Sequence, residues 1–410
     1  MPSICGCYGL GVSAWLLVGG VALLVGLASW HGWLARAIAR RVVPSTEPVV
    51  YPSVTMVRPV RGLDVDAEAN FRAALETSYP GEVETLFVFD DADDPGVPVA
   101  RRVVDEHRRA GRRGDAQVVL SGRPPAHRTG KVQAMIVGAA RARGTLIGFG
   151  DSDSRPTPDL LTALVRALLV APDVGASFAP VVVADPPETA GDVGYALLVN
   201  AVYGPMVARA TDARGGLPFI MGQAMVFRPE ALAAIGGPAC ADGQLIDDMH
   251  LGRCLNQAGY ATVMIREPLR IVNHGTSLGA FLRLYRRWML FGRDGLPLRI
   301  TWPSWPAGIA AWLGAALLVT ALAVGAGWAA LVAASALVAQ GVSLARLHER
   351  FGGAPIPWRW RVCAGAVFLI APAVLVSMRS RQVEWRGRHY VLDRLALPVQ
   401  RERGGSSWAT

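Results

Sequence analysis

Hydrophobic positions fall into three regimes along the chain, and each predicts a different kind of structure. Residues 10–30 are apolar and uncharged, long enough to cross a bilayer as one helix. From 54 to about 271, short apolar runs alternate with longer amphipathic ones, the pattern of a parallel-rich α/β domain. Strands are predicted at 54–57, 85–89, 116–120 and 146–149, and helices at 67–77, 97–109, 132–141 and 158–170. An apolar run at 174–183, a helix at 192–210, a strand at 219–227 and a helix at 247–257 follow. Beyond 278 the character changes again. Residues 278–291 set Leu278, Phe281, Leu282, Tyr285 and Met289 beside Arg283, Arg286 and Arg287, as in a helix lying on a bilayer surface. Residues 305–344 suffice for two crossings with a turn at Gly325-Ala326-Gly327, and 362–378 is a third, shorter run. Arg359, Arg361, Arg379 and Arg381 flank that run on both sides, so charge does not orient it, and spanning and re-entrant placements both remain open.

Composition agrees with one soluble domain held between membrane segments: 52% of the 410 residues are hydrophobic, yet charge is concentrated in the middle. The net charge of +9 suits nucleic acid, an anionic lipid surface or an anionic substrate. The excess arginine lies beside the apolar stretches, which favours lipid headgroups and gives no reason to expect nucleic acid. Arg36, Arg40 and Arg41 follow the first apolar run instead of preceding it, which argues for a retained anchor over a cleaved signal and places the next domain in the cytoplasm. Cys5, Cys7, Cys240, Cys254 and Cys363 show no C-x-x-C pair, and neither a disulfide framework nor a zinc site is expected.

Candidate chemistry centres on 145–160. A buried strand ends at Gly150, and Asp151 and Asp153 follow at its carboxyl end, where open α/β sheets place ligands. In an extended segment, residues two apart share a face, so these carboxylates can meet one hard cation, Mg²⁺ or Mn²⁺, together with substrate phosphates. Asp90 and Asp91 end the second strand, well placed to accept hydrogen bonds from a nucleobase or ribose. Lys131 starts a helix, where it can neutralise a phosphate. One carboxylate of the pair Asp247 and Asp248 can serve as general base toward an attacking hydroxyl.

The ordered set Arg58-Pro-Val-Arg-Gly62, Asp90-Asp-Ala-Asp-Asp-Pro95, Lys131, Asp151-Ser-Asp153, Gly222-Gln-Ala-Met225, Asp247-Asp248 and Arg286-Arg-Trp288 resembles the family 2 glycosyltransferases. It is most similar to their ceramide glucosyltransferase-like branch. The tail Trp385-Arg-Gly-Arg-His-Tyr390 looks like that branch's W-R-x-G-R-Y ending, one residue shorter, and Leu284 departs from the branch's Q/R-x-x-R-W motif. The resemblance implies an α/β GT-A (Rossmann-like) domain flanked by transmembrane helices. It also implies a UDP-sugar donor, a divalent metal and inversion at the anomeric carbon. Carried over, Asp90, Asp91, Lys131, Asp151, Arg286, Arg287 and Trp288 serve the nucleotide sugar. Asp151 and Asp153 serve the metal, and Asp248 is the base.

The expected layout is a tail at 1–9, an anchor at 10–30, a basic linker at 31–53 and the catalytic domain at 54–277. An interfacial helix at 278–303, a membrane hairpin at 304–345, a basic loop at 346–361, a third segment at 362–378 and a basic tail at 379–410 complete it. The expected activity is transfer of one sugar to a membrane lipid hydroxyl at the cytoplasmic face, glucose to ceramide first. The alternatives are an N-acetylhexosaminyltransferase acting on a hopanoid or other lipid, a processive polysaccharide synthase, and a non-enzymatic scaffold that binds nucleotide sugars.

Overall fold

The structure, a computed structural model, describes residues 5–39, 50–211, 216–296, 298–370, 374, 376–377, 379–385 and 388–391. It divides into two units, one drawn from 42–181, 211–272 and 380–410, the other from 1–41, 182–210 and 273–379.

In the first unit the short apolar runs become strands because both their faces are covered. β1 (Val54–Val60) and β2 (Val83–Phe89) are buried along almost their whole length, as strands under helices on two sides must be. β3 (Asp115–Leu120), β4 (Leu146–Gly150), the two-residue β5 (Ser154–Arg155), β6 (Val174–Phe178) and β7 (Val181–Val183) follow. β8 (Ala224–Phe227), β9 (Ala261–Met264), β10 (Leu269–Ile271), β11 (Gln382–Trp385) and β12 (Arg388–Val391) complete the described strands. The main sheet runs β3-β2-β1-β4-β8-β6-β9. β1 pairs in parallel with β2 and β4, and β2 with β3, whereas β8 is antiparallel to both β4 and β6.

The register decides where the chemistry goes. Val60 lies opposite Phe89, and Gly150 lies opposite Ala224, so Asp90, Asp151 and the Gly222-Gln223 pair all leave the sheet at one edge. The strand expected at 219–227 is only Ala224–Phe227, because the residues just before it turn toward that edge. The tail returns to this unit as the antiparallel hairpin β11–β12; residues 392–410 lie outside the described residues.

The second unit is built on long apolar helices. Three among the described residues are long and apolar enough to cross a membrane: Gly11–Arg36, Trp302–Ala323 and Gly327–Arg350. The turn at Gly325, in a left-handed conformation that favours glycine, joins the last two as expected. Small residues Ala307, Ala311 and Ala345 let the helices approach closely, and Gln340 donates to the Ala307 carbonyl at 2.6 Å. Trp15, Trp312 and Trp328 are exposed on these helices, the kind of surface that lipid rather than water suits.

Two expectations are corrected here. The first helix runs Cys5–Ala39, through the start of the expected linker, while 40–49 lie outside the described residues. The helix expected at 192–210 is Ala190–Ala196, a π-helical turn Leu197–Tyr203, then Gly204–Ala210. It groups with the membrane helices, where Val193, Leu197 and Ala201 pack with Leu27, Leu34 and Leu344. The stretch 193–208 carries no charge, so it has no face to offer water. Of the third apolar run, the structure describes the end of a short helix Trp358–Cys363 and a 3₁₀ segment Ala364–Ile370; 371–373, 375 and 378 lie outside the described residues.

Candidate active site

Gly150 ends β4, and Asp151 is then fixed by its main chain. Its N–H donates to the Gln223 carbonyl at 3.0 Å, and its own carbonyl accepts from Ser154 Oγ at 2.7 Å and from Arg58 Nη1 at 3.2 Å. Burial lowers the Arg58 pKa to about 10 against the opposing pull of Asp151. Residues 152–153 form a turn and not an extended strand, so alternation along a strand does not give Asp151 and Asp153 a common face. The Asp153 carbonyl accepts from the Val272 N–H at 3.1 Å, tying the turn to the chain beyond β10.

Lys131 is neither solvated nor aimed outward. It lies in the first turn of helix Gly130–Arg141, whose cap Thr129 Oγ1 accepts from the Val132 N–H at 3.2 Å. Its Nζ sits 2.9 Å from Asp151 Oδ1 and 3.5 Å from Asp247 Oδ2. Burial works against its charge, but Asp151, Asp247 and Asp248 together outweigh burial and raise its pKa.

Asp248 is the neighbouring carboxylate with a different environment. Gly222 N–H donates to its Oδ2 at 2.7 Å, and Met249 N–H to its Oδ1 at 2.8 Å. A Cβ on Gly222 would fall 2.7 Å from the Asp248 Cβ, so only glycine permits this approach. Burial, then the charge of Asp247, push the Asp248 pKa up to about 6. Asp247 is buried at 4% exposure and is also raised, chiefly by burial. One polar edge thus holds a carboxylate poised near neutrality beside a carboxylate–lysine–carboxylate bridge, a pairing suited to proton abstraction beside an anionic leaving group.

The second-strand acids divide their work. Asp90 Oδ2 is held by two guanidiniums, Arg61 Nη1 and Arg388 Nη2, each at 2.7 Å. Asp91 Oδ1 accepts the Asp93 N–H at 3.1 Å, and buried Asp94 bridges the Gly62 and Gly96 N–H groups at 2.8 Å each. Arg388 was not singled out from the sequence; its motif was visible, but its return to the sheet edge was not. Its Nη1 lies 2.8 Å from where a Cβ on Gly130 would stand, beside the start of the Lys131 helix.

Arg286, Arg287 and Trp288 belong to the other unit, on helix Leu278–Gly295. Arg286 donates to the Ser377 carbonyl through Nε at 3.3 Å, and Trp288 packs edge-on to Tyr195 and Tyr203 at 6.1 and 5.2 Å between centroids.

Asp151 and Asp153 fit a hard divalent cation by ligand chemistry, both offering carboxylate oxygens; the Asp151 side chain is 24% exposed, with Oδ1 on Lys131.

Residues 16–395 match Glycosyl transferase family 21. The chain belongs to that family. The family number differs from that of the motif resemblance, but the curated relatives are ceramide glucosyltransferases, the branch expected. Ceramide glucosyltransferase of Candida albicans is 27% identical over 78 residues, 19% of this chain and 14% of the relative. Ceramide glucosyltransferase 3 of Caenorhabditis elegans is 23% identical over 241 residues, 58% of this chain and 50% of the relative. The chain spans half or less of these relatives' length. Among solved structures, a mannosyltransferase from Pyrobaculum calidifontis in complex with GDP-Man and Mn²⁺ is similar at 20% identity and TM-score 0.45, covering 87% of this chain and 98% of that one. Glucosyl-3-phosphoglycerate synthase from Mycobacterium tuberculosis, with Mn²⁺, UDP-glucose and phosphoglyceric acid, is similar at 17% identity and TM-score 0.38, covering 62% and 89%. The chain has a mixed, mostly parallel α/β sheet, with helices apolar enough to cross a membrane before and after most of it in sequence.

Proposed function

We propose that this glycosyltransferase is an inverting enzyme that moves one sugar from a UDP-sugar to a membrane lipid hydroxyl, with glucose and ceramide as donor and acceptor. The observation that carries the reading is the Asp248 carboxylate, oriented by the Gly222 N–H and held near pH 6 at the edge that also bears Lys131 and Asp151. Asp248 takes the acceptor's hydroxyl proton, the alkoxide oxygen bonds to the anomeric carbon, and the bond from that carbon to the diphosphate breaks to release UDP. Asp151 and Asp153 would hold Mg²⁺ or Mn²⁺, which supplies charge neutralisation to the departing diphosphate. Lys131 balances the carboxylates before the donor binds, and Asp91 receives the nucleoside. Arg61 and Arg388, aimed by Asp90, add positive charge at the same edge. Arg286 and Arg287 are assigned to the diphosphate and Trp288 to the bilayer-side mouth. The chain crosses its membrane more than once, with the catalytic domain in the cytoplasm.

The test uses membranes containing the protein, radiolabelled UDP-glucose and ceramide, with lipids separated by thin-layer chromatography. Labelled glucosylceramide is expected, lost in excess chelator and restored by Mn²⁺ or Mg²⁺. Transfer of an N-acetylhexosamine to a polycyclic lipid alone would replace both substrates. Absence of UDP release with every donor and lipid extract would overturn the enzymatic reading.

A further inference from the structure

Helix Asp247–Gln257 carries Asp248 in its first turn and, further along, His250 and Cys254 four residues apart on one face. The 3₁₀ segment Gly237–Ala241 brings Cys240 to that face. One nitrogen of His250 and the sulfurs of Cys240 and Cys254 all lie within 4.8 Å of one another. The sulfurs stand 2.9 Å apart, adjacent but well beyond the about 2.05 Å of a disulfide bond, and all three residues are half-buried. His250 also hydrogen-bonds the Cys240 backbone, the kind of contact that fixes ring orientation in histidine-ligated metal sites.

We propose that Cys240, His250 and Cys254 form a binding site for a thiophilic divalent cation, Zn²⁺, separate from the carboxylate site. The ligand types are those zinc prefers, and three protein ligands leave one position for water. Burial, then the neighbouring Cys254, push the Cys240 thiol up to about 12 in the absence of metal. Binding releases two thiol protons to solvent and transfers no electrons. Two thiolates, one neutral imidazole and Zn²⁺ sum to zero charge, which a half-buried site accommodates without an unpaired ion. A Cys240–Cys254 disulfide would use two of the three groups and leave His250 unexplained, and the 2.9 Å between the sulfurs is longer than such a bond. The metal would clamp the Gly237–Ala241 segment to the helix that begins with Asp247 and Asp248. The site stands whatever sugar or acceptor the enzyme uses.

The experiment takes the full-length protein in detergent, reduced with a phosphine and stripped with chelator, then exposed to Zn²⁺ and desalted. Plasma mass spectrometry is expected to find about one zinc ion per chain, with the zinc lost in Cys254→Ser and in His250→Gln and kept in Asp153→Ala. Titration of the unaltered protein with Co²⁺ provides a readout independent of variant folding, and a thiolate-to-cobalt charge-transfer band in the near ultraviolet is expected. No such band, zinc retained equally by Cys254→Ser, or a Cys240–Cys254 disulfide persisting through reduction would each overturn the proposal. Sugar transfer measured on the same samples separates this outcome from that of the proposed function.

Discussion

Lys131 and Asp248 share one acidic cluster, yet replacing them is expected to move stability in opposite directions. Lys131→Met leaves buried Asp247 and half-buried Asp151 without their shared cation, a loss of up to about 3–5 kcal/mol read as a lower melting temperature. Asp248→Asn removes a carboxylate that burial and Asp247 hold above its ordinary value of 3.8, at about 6. An acid whose pKa is raised by folding costs stability above its folded value, and the cost fades as pH falls toward the unfolded one. Asp248→Asn therefore melts higher than the parent at pH 7, and the gap closes between about pH 6 and 4. Its turnover is expected to drop by about 10²–10⁴, the usual cost of a general base, while UDP binding is kept. In the parent, kcat/KM should fall as pH drops below about 6, where Asp248 gains a proton. If Asp247→Asn loses turnover and Asp248→Asn keeps it, the base is the other carboxylate.

Elements set how closely these groups approach. Gly222→Ala would drive a methyl group into Asp248, costing about 1–3 kcal/mol and most of the activity, as melting and rate measurements on one preparation would show. On helix Leu278–Gly295, Trp288→Ala removes two aromatic contacts, to Tyr195 and Tyr203, worth about 1 kcal/mol each. Transfer to lipid should fall while the protein stays in the membrane fraction; unchanged transfer would leave this helix a linker. Much of this level was legible beforehand. Helix Asp247–Gln257 was bounded as observed, and β1, β2 and β4 were found from apolar runs between turn residues, because strands buried on both faces leave that mark; the edge strand β3, only partly buried, was found from its short apolar run alone. The π-helical turn at Leu197–Tyr203 was not legible; within it Asn200 exchanges hydrogen bonds with the Val183 backbone, a contact remote from any local pattern. Nor was the Cys240, His250 and Cys254 cluster, whose members are brought together by a 3₁₀ segment that no periodicity announces. For Asp151 and Asp153 the sequence located the turn, but strand alternation misjudged its geometry.

For the whole molecule, long apolar helices come before the sheet-bearing unit and after most of it in sequence, and the last described hairpin then rejoins that unit. Arg388→Ala is expected to raise KM for the UDP-sugar about tenfold with little change in kcat, since a charged hydrogen bond contributes about 1.5–3 kcal/mol. Arg388→Lys should recover part of that loss; an unchanged KM in both would leave the ion pair with Asp90 purely structural. Arg388 is translated after all three helices that are long and apolar enough to span, although its partner Asp90 emerges early. A chain still being made can fold its sheet and insert its helices while its donor edge lacks one guanidinium. Full affinity for the nucleotide sugar would then come only once β12 has been made, after the long apolar helices. A premature stop or a proteolytic nick ahead of β12 would leave an inserted, folded and weakly loading enzyme.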